Sequence, residues 1–182
     1  MNKKQKDSLI KRFIFEPQKY RLNEPEAVKK YNDVCFCKTF FGQEEVDETL
    51  IKELLVDSIT NKNESELDLL LMLLEHFDIV RDFDLIIAEL LIQPWHHFHD
   101  RIAGVLGFFP REEISEYLYK GALYSCDNLE YESDYCGFNR KCLYALAKIG
   151  TKSSIDYIKK ISLSSNLIIS KHATNILIEF GY

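Results

Sequence analysis

Four prolines and seven glycines in 182 residues leave few places where regular structure must break, and leucine and isoleucine are plentiful. That balance suits helices joined by short turns. No apolar run reaches the roughly 18–20 residues that a membrane span needs. The opening stretch MNKKQKDSLIKRFIFEP is basic but has no apolar h-region and no small-residue cleavage site, so it reads as the start of a mature cytoplasmic protein. Five cysteines form an odd set without metal spacing. Cys35 and Cys37 stand one residue too close for C-x-x-C, while Cys126, Cys136 and Cys142 read as small core residues or free thiols. No disulfide is expected. G-x-S-x-G, the phosphate-binding G-x-x-x-x-G-K, G-x-G-x-x-G and H-E-x-x-H are all missing. Cys126 and Cys136 flank an acidic segment whose carboxylates disfavour a thiolate, which argues against a nucleophilic cysteine. The acidic pairs Glu44-Glu45 and Glu112-Glu113 sit at expected helix N-termini, where the helix dipole accounts for them. No catalytic residue, cofactor or bound metal is expected, and the chain reads as a non-enzyme.

What is present is helical periodicity. The stretch RKCLYALAKIGTKSSIDYIKKI, Arg140 to Ile161, sets Cys142, Leu143, Leu146 and Ile149 on one stripe. Ala145 and Ala147 admit a close neighbour. Gly150 stops the helix, and Thr151 caps the next one, whose Ile155, Ile158 and Ile161 face in while Lys159 and Lys160 face out. Two short amphipathic helices on so brief a connection fold back as a hairpin, and such units stack.

Earlier in the chain, Lys4 to Phe15 reads as a helix burying Leu9, Ile10, Phe13 and Ile14 and closed by Pro17. A second helix starts near Glu24-Pro25 and runs to Phe41, with Ala27, Tyr31, Val34, Cys35 and Phe41 as its buried stripe. The third carries Val46, Leu50, Ile51, Leu54, Leu55 and Ile59 inward. After a turn at Asn61-Lys62-Asn63, Ser65 precedes LDLLLMLLEHF, which is apolar nearly all round and so belongs at the centre. Asp82 or Asp84 caps a helix through Leu85, Ile86, Leu90 and Leu91, broken at Gln93-Pro94. Helices from His96 to Phe109 and Arg111 to Tyr124 follow, the first with Phe98, Ile102, Val105, Leu106 and Phe109 inward, the second with Ile114, Tyr117, Leu118 and Ala122. The last three run Gly137–Ile149, Ser153–Ser162 and Leu167–Phe180, with Ser164 or Ser165 capping the final one. About ten helices and no strand signal define an all-α chain, a single domain over 1–182 with a change of character at 80/81.

Charge is uneven. Residues 1–30 carry about +5, residues 31–100 about −12, and residues 101–182 about +1. An acidic centre disfavours nucleic acid and suits a basic protein partner, although solvated helix faces produce the same numbers. The basic N-terminal run through Lys11-Arg12 suits anionic lipid or RNA, or simply a solvated face. His96, His97, His99 and Asp100 are the densest set of metal-ligand residue types. On one helix His96 would share a face with His99 and Asp100, with the distant His76 and His172 as further ligand candidates. The structural reading is favoured: His96 and Asp100 secure a helix start after Pro94, Asp100 accepts from an imidazole, and Trp95 packs on a neighbour. Partner contact through His96 and His99 ranks second, and metal or acid–base chemistry third.

Three segments resemble bacterial HEAT-repeat-like proteins. They are Trp95-His96-His97-Phe98-His99-Asp100-Arg101-Ile102, Ala122-Leu123-Tyr124 leading into an acidic tyrosine-bearing segment, and Arg140 through Thr151. The likeness covers roughly residues 80–182. It implies an α-α superhelix of HEAT-like helical hairpins over 81–182, with divergent helices over 1–80. It also implies a protein-binding role, since such proteins are often encoded beside polymorphic or contact-dependent toxins as immunity partners. On that reading the chain is a cytoplasmic immunity protein, monomeric when free, that neutralises a cognate toxin domain. A nuclease with a basic cleft would suit the acidic surface, and no nucleic acid or membrane partner is expected. The contact residues expected are Asp127, Glu130, Tyr131, Glu132, Asp134 and Tyr135, with His96 and His99 beside them. The alternatives are a generic HEAT-like scaffold and a HEAT-like nucleic-acid-processing enzyme such as a DNA glycosylase, which would call for a basic concave face.

Overall fold

The computed structural model of the chain describes residues 1–15, 25–124 and 137–182. Among the described residues there are ten α-helices and no strand. No helix among them is long and apolar enough to cross a membrane. The chain divides into two compact units, Met1–Asp78 and Ile79–Tyr182.

The first unit holds α1 (Lys3–Ile10), α2 (Glu26–Phe40), α3 (Glu48–Thr60) and α4 (Glu64–His76). Asn2 caps α1 by accepting from the Gln5 amide at 2.9 Å, while the Gln5 side chain accepts from the Asn2 amide at 3.1 Å. This reciprocal pair satisfies two N-terminal donors. A π-helical turn, Lys11–Phe15, extends α1. It turns Ile14 to solvent, against the expected inward position, and buries Arg12.

In α2 the expected stripe is wrong. Ala27, Tyr31 and Cys35 are exposed, and the buried residues are Phe36, Cys37 and Phe40. The helix offers two apolar sets, and the one with two phenylalanines removes more surface from water. Phe36 stacks on Phe40 at 5.4 Å and on Phe77 at 5.9 Å. In α3, Ile51, Leu54 and Leu55 are buried as expected, with Ser58 beside them and Ile59 half-buried. Asn63, the last residue of the expected turn, caps α4 by accepting from the Glu66 amide, and Ser65 lies inside the first turn of the helix. Leu67, Leu69, Leu70, Leu71, Leu73 and Leu74 are all buried, while Ser65 and Glu75 are exposed and Asp68 and Met72 half-buried, so α4 is buried over most of its circumference and keeps one side toward water.

The second unit holds α5 (Val80–Ala88), α6 (His99–Leu106), α7 (Ser115–Leu123), α8 (Gly137–Ile149), α9 (Lys152–Ser162) and α10 (Leu167–Phe180). Helix α5 begins at Val80, ahead of Asp82 and Asp84, so neither caps it. Its register buries Phe83, Asp84 and Ile87 and leaves Leu85 exposed. Arg111 NH1 stands 3.2 Å from the buried Asp84 Oδ2. Burial holds that carboxyl above the usual range, and Arg111 partly offsets the effect.

The hairpin at the end of the chain forms as its sequence dictates. Cys142, Leu143, Ala145, Leu146 and Ala147 are buried in α8, with Ile149 half-buried. Gly150 takes φ +67°, a left-handed position that other residues resist. Thr151 Oγ1 accepts from the Ser154 amide at 3.3 Å, and α9 buries Ile155, Ile158 and Ile161. Helices α7 to α10 pack pairwise, and α6 lies against α8. Gly121 lets α7 and α8 approach closely, because a Cβ there would stand 3.1 Å from Cys142 Sγ. Asn166, rather than Ser164 or Ser165, caps α10 with bonds from the Ile168 and Ile169 amides.

Candidate functional site

The site most exposed to test is the histidine segment, and its geometry begins with Pro94. In a continuing helix the residue-94 N–H would bond the Leu90 carbonyl, but proline has none. The helix tightens into a 3₁₀ turn, Glu89–Ile92, and the Gln93 amide donates to Leu90 O at 3.0 Å. His96 Nε2 donates to the same carbonyl at 2.9 Å. Its Nδ1 accepts from the Phe98 amide at 3.1 Å. Both ring nitrogens are therefore committed, and the pattern fixes a neutral imidazole with its proton on Nε2.

His99, the first residue of α6, repeats the device by donating from Nε2 to Gln93 O at 2.9 Å. Its Nδ1 is buried without a protein hydrogen-bond partner. The two rings stack at 4.4 Å, with Trp95 edge-on to His96 at 5.0 Å. His99 also lies against Tyr124 at 5.7 Å and Phe138 at 5.6 Å. Each histidine is about 1 % exposed. Burial first, and the neighbouring His99, push the His96 imidazole down to about 4, and burial lowers His99 as well.

Three sequence expectations change here. His96 precedes α6 instead of lying on it, so His96, His99 and Asp100 do not form one helical face. Asp100 pairs with Lys141 of α8, not with an imidazole. His96 and His99, expected among the partner contacts, have their rings buried inside the unit, away from a partner on its surface. The expected role of His96 at a helix start is met by Nδ1, which accepts from the amide of Phe98, the residue before α6, while the bond to Leu90 O ties down the preceding 3₁₀ turn. Among the described residues no group of three or more His, Cys, Asp and Glu is placed to hold a metal ion.

The expected contact residues Asp127, Glu130, Tyr131, Glu132, Asp134 and Tyr135 lie outside the described residues. The positions that flank them are described. Asn139, 6 % exposed on α8, places Nδ2 at 3.2, 3.1 and 3.0 Å from the carbonyls of Gly121, Ala122 and Tyr124, which share its two hydrogens. It thereby satisfies acceptors left open at the end of α7. Sequence reading passed over Asn139, and the one signal was a polar residue amid the apolar face of α8.

A second cluster that sequence reading missed lies in the first unit. Arg12 NH2 donates to Asp33 Oδ1 at 2.5 Å, and His76 Nε2 meets the same oxygen at 2.8 Å. Phe13 and Phe77 stand edge-on to the His76 ring at 5.4 and 4.8 Å. Arg12, Asp33 and His76 are too far apart in sequence for any local pattern to link them. Nearby, Cys37 is pushed up to about 11 by burial and by the Asp33 carboxylate, and burial likewise raises the Cys142 thiol, so both are poor nucleophiles. No family model, curated protein or solved structure matches the chain.

Proposed function

We propose that this chain is a protein-binding module that neutralises a bacterial toxin domain by direct contact, without catalysis. The observation that carries the reading is the clasp at Asn139. It ties Tyr124, where the acidic segment SCDNLEYESDYC departs, to the first turn of α8, where the chain returns. A segment rich in carboxylates and tyrosines on a rigid base suits capture of a basic surface, because charge raises the encounter rate and tyrosines anchor the contact. The immunity role, and the HEAT-like superhelix that would present the segment, rest on the resemblance of residues 80–182.

The test is to mix the purified chain with the toxic domain encoded beside it and follow association by stopped flow across salt concentrations. Glu130→Lys with Glu132→Lys is expected to slow association about tenfold or more at low salt and to abolish protection on co-expression. An association rate indifferent to salt and to both reversals would sink the proposal.

A scaffold role is the second reading, and a specific feature favours it. The outer face of α10 shows Leu167 and Ile178 at 81 and 74 % exposure, with Leu163 at 87 % before it. Leu167 and Ile178 fall on the same side of α10, about 16 Å apart along its axis, and an exposed apolar stripe of this kind suits a protein contact. If the partner bound has no toxicity of its own, and Ile178→Lys removes its binding while the Glu130/Glu132 reversals do not, the scaffold reading holds and the α10 face is the working surface.

A further inference from the structure

The two buried imidazoles of the second unit are held in a form that has no place for a second proton. His96 gives its one N–H to Leu90 O and needs the Nδ1 lone pair to accept from the Phe98 amide. A proton on Nδ1 sets one N–H against another and removes the bond that positions the residue before α6. His99 gives its N–H to Gln93 O, and its Nδ1 is buried with no hydrogen-bond partner among the described residues. A proton there finds no acceptor. The rings stack at 4.4 Å, where two positive charges repel.

The groups packed around the pair offer little compensation. His97, next to it in the chain, adds repulsion. Tyr124 at the end of α7 presents a ring face to His99, and Phe138 of α8 stands edge-on to it. One turn on from Phe138, Lys141 is paired with Asp100, and Cys142 is a buried thiol kept neutral. In the turn before Pro94, the Glu89 carboxylate accepts from the Tyr117 hydroxyl at 3.4 Å. Among the described residues no carboxylate pairs with either ring.

We propose that this pair is an acid-operated latch within the second unit. Protonation of His96 and His99 at Nδ1 drives both rings out, frees the Gln93–Phe98 connection and the start of α6, and uncovers Trp95 and Tyr124. The α9–α10 hairpin stays folded. The bonds lost lie between Leu90 and His99, whereas that hairpin is held by its own caps at Thr151 and Asn166. The closed state keeps the rings neutral and the open state lets them take up protons, so acid favours opening. Each proton bound raises the opening equilibrium about tenfold per pH unit, and two rings acting together about a hundredfold. The latch does not depend on the toxin reading.

The test is native-state hydrogen exchange of the full chain, read by peptide mass spectrometry from pH 7 to pH 4.5 and corrected for the intrinsic exchange rate. Peptides over residues 93–106 are expected to lose protection about tenfold to a hundredfold per pH unit below about pH 6, while those over 152–180 keep theirs. The double variant His96→Asn, His99→Gln should hold its protection over 93–106 level across this range, and His97→Asn should keep the steep loss. Imidazole nitrogen NMR of the unsubstituted chain needs no variant. Both rings should carry their proton on Nε2 at pH 7 and take up the second with the midpoint of the exchange transition. Equal loss over both ranges is general unfolding and overturns the latch, as does protection over 93–106 that stays flat with pH. Proton uptake by the rings with protection intact overturns the coupling. A steep loss that persists in the double variant and vanishes in His97→Asn puts the trigger at His97 and overturns the assignment.

Discussion

In the unit Met1–Asp78 the Arg12 guanidinium and the His76 ring converge on one carboxylate oxygen of Asp33. In the unit Ile79–Tyr182, His96 and His99 instead give their Nε2 protons to the carbonyls of Leu90 and Gln93. Both are ways to place nitrogen bases out of water. One keeps a charge and supplies its partner, and the other removes the charge. The consequences differ, because a charged cluster fails when its partner is removed, whereas a neutral one fails when protons are added.

Acid should break the second arrangement with the largest effect. An ordinary imidazole titrates near 6.5, and His96 is held at about 4 in the fold. Between those values the unfolded chain binds the proton and the folded chain does not, so stability falls as pH drops from about 6.5 toward 4. The loss is on the order of 3 kcal/mol from His96 alone, and His99 adds in the same direction. Trp95, the one tryptophan in the chain, lies on the His96 ring and reports this unit in urea unfolding followed by fluorescence. His96→Asn should show a smaller difference between pH 7 and pH 4.5 than the unsubstituted chain.

The first arrangement should break on Asp33→Asn. That change leaves the buried Arg12 charge with less compensation, and because Asp33 is partly exposed the loss is about 2 kcal/mol, below that of a fully buried pair. It should appear as a lower urea midpoint by circular dichroism.

Arg111→Leu sharpens the contrast, because its pH dependence has the opposite sign. Asp84 has a raised carboxyl in the fold, so the folded state holds its proton more tightly, and ionising Asp84 lowers stability as pH rises through that window. Removing Arg111 should cost about 1–2 kcal/mol at pH 7. The cost should shrink in acid, where the His96 effect grows. Thr151→Ala is the smallest of the set, about 1 kcal/mol from the lost cap of α9. Its cost should shrink as pH falls toward 4, because Ser153 and Thr151 hold the Glu112 carboxyl below the usual range and that contribution is lost in acid.

Where apolar spacing was unambiguous, the helices could be read directly. The span Gly137–Ile149, the stop at Gly150 and the Thr151 cap all agree with the structure. Competing patterns misled. In α2 two apolar sets overlap, and which one faces inward depends on the aromatic neighbours Phe13 and Phe77, supplied from elsewhere in the chain. At His96 the helical spacing to Asp100 was real, but Pro94 delays the helix to His99, so that spacing never becomes a face.

The sequence by itself determined an all-α chain, the breaks at Pro94 and Gly150, and the placement of acids and tyrosines between α7 and α8, because each of these follows from local backbone preference and composition. Only the tertiary structure decided that Asp33 joins Arg12 to His76, that Asn139 closes the end of α7, and that Tyr124 and Phe138 lie against His99. Those contacts join residues far apart in the chain, and their energies depend on burial and on the direction of each donor, which no local pattern encodes.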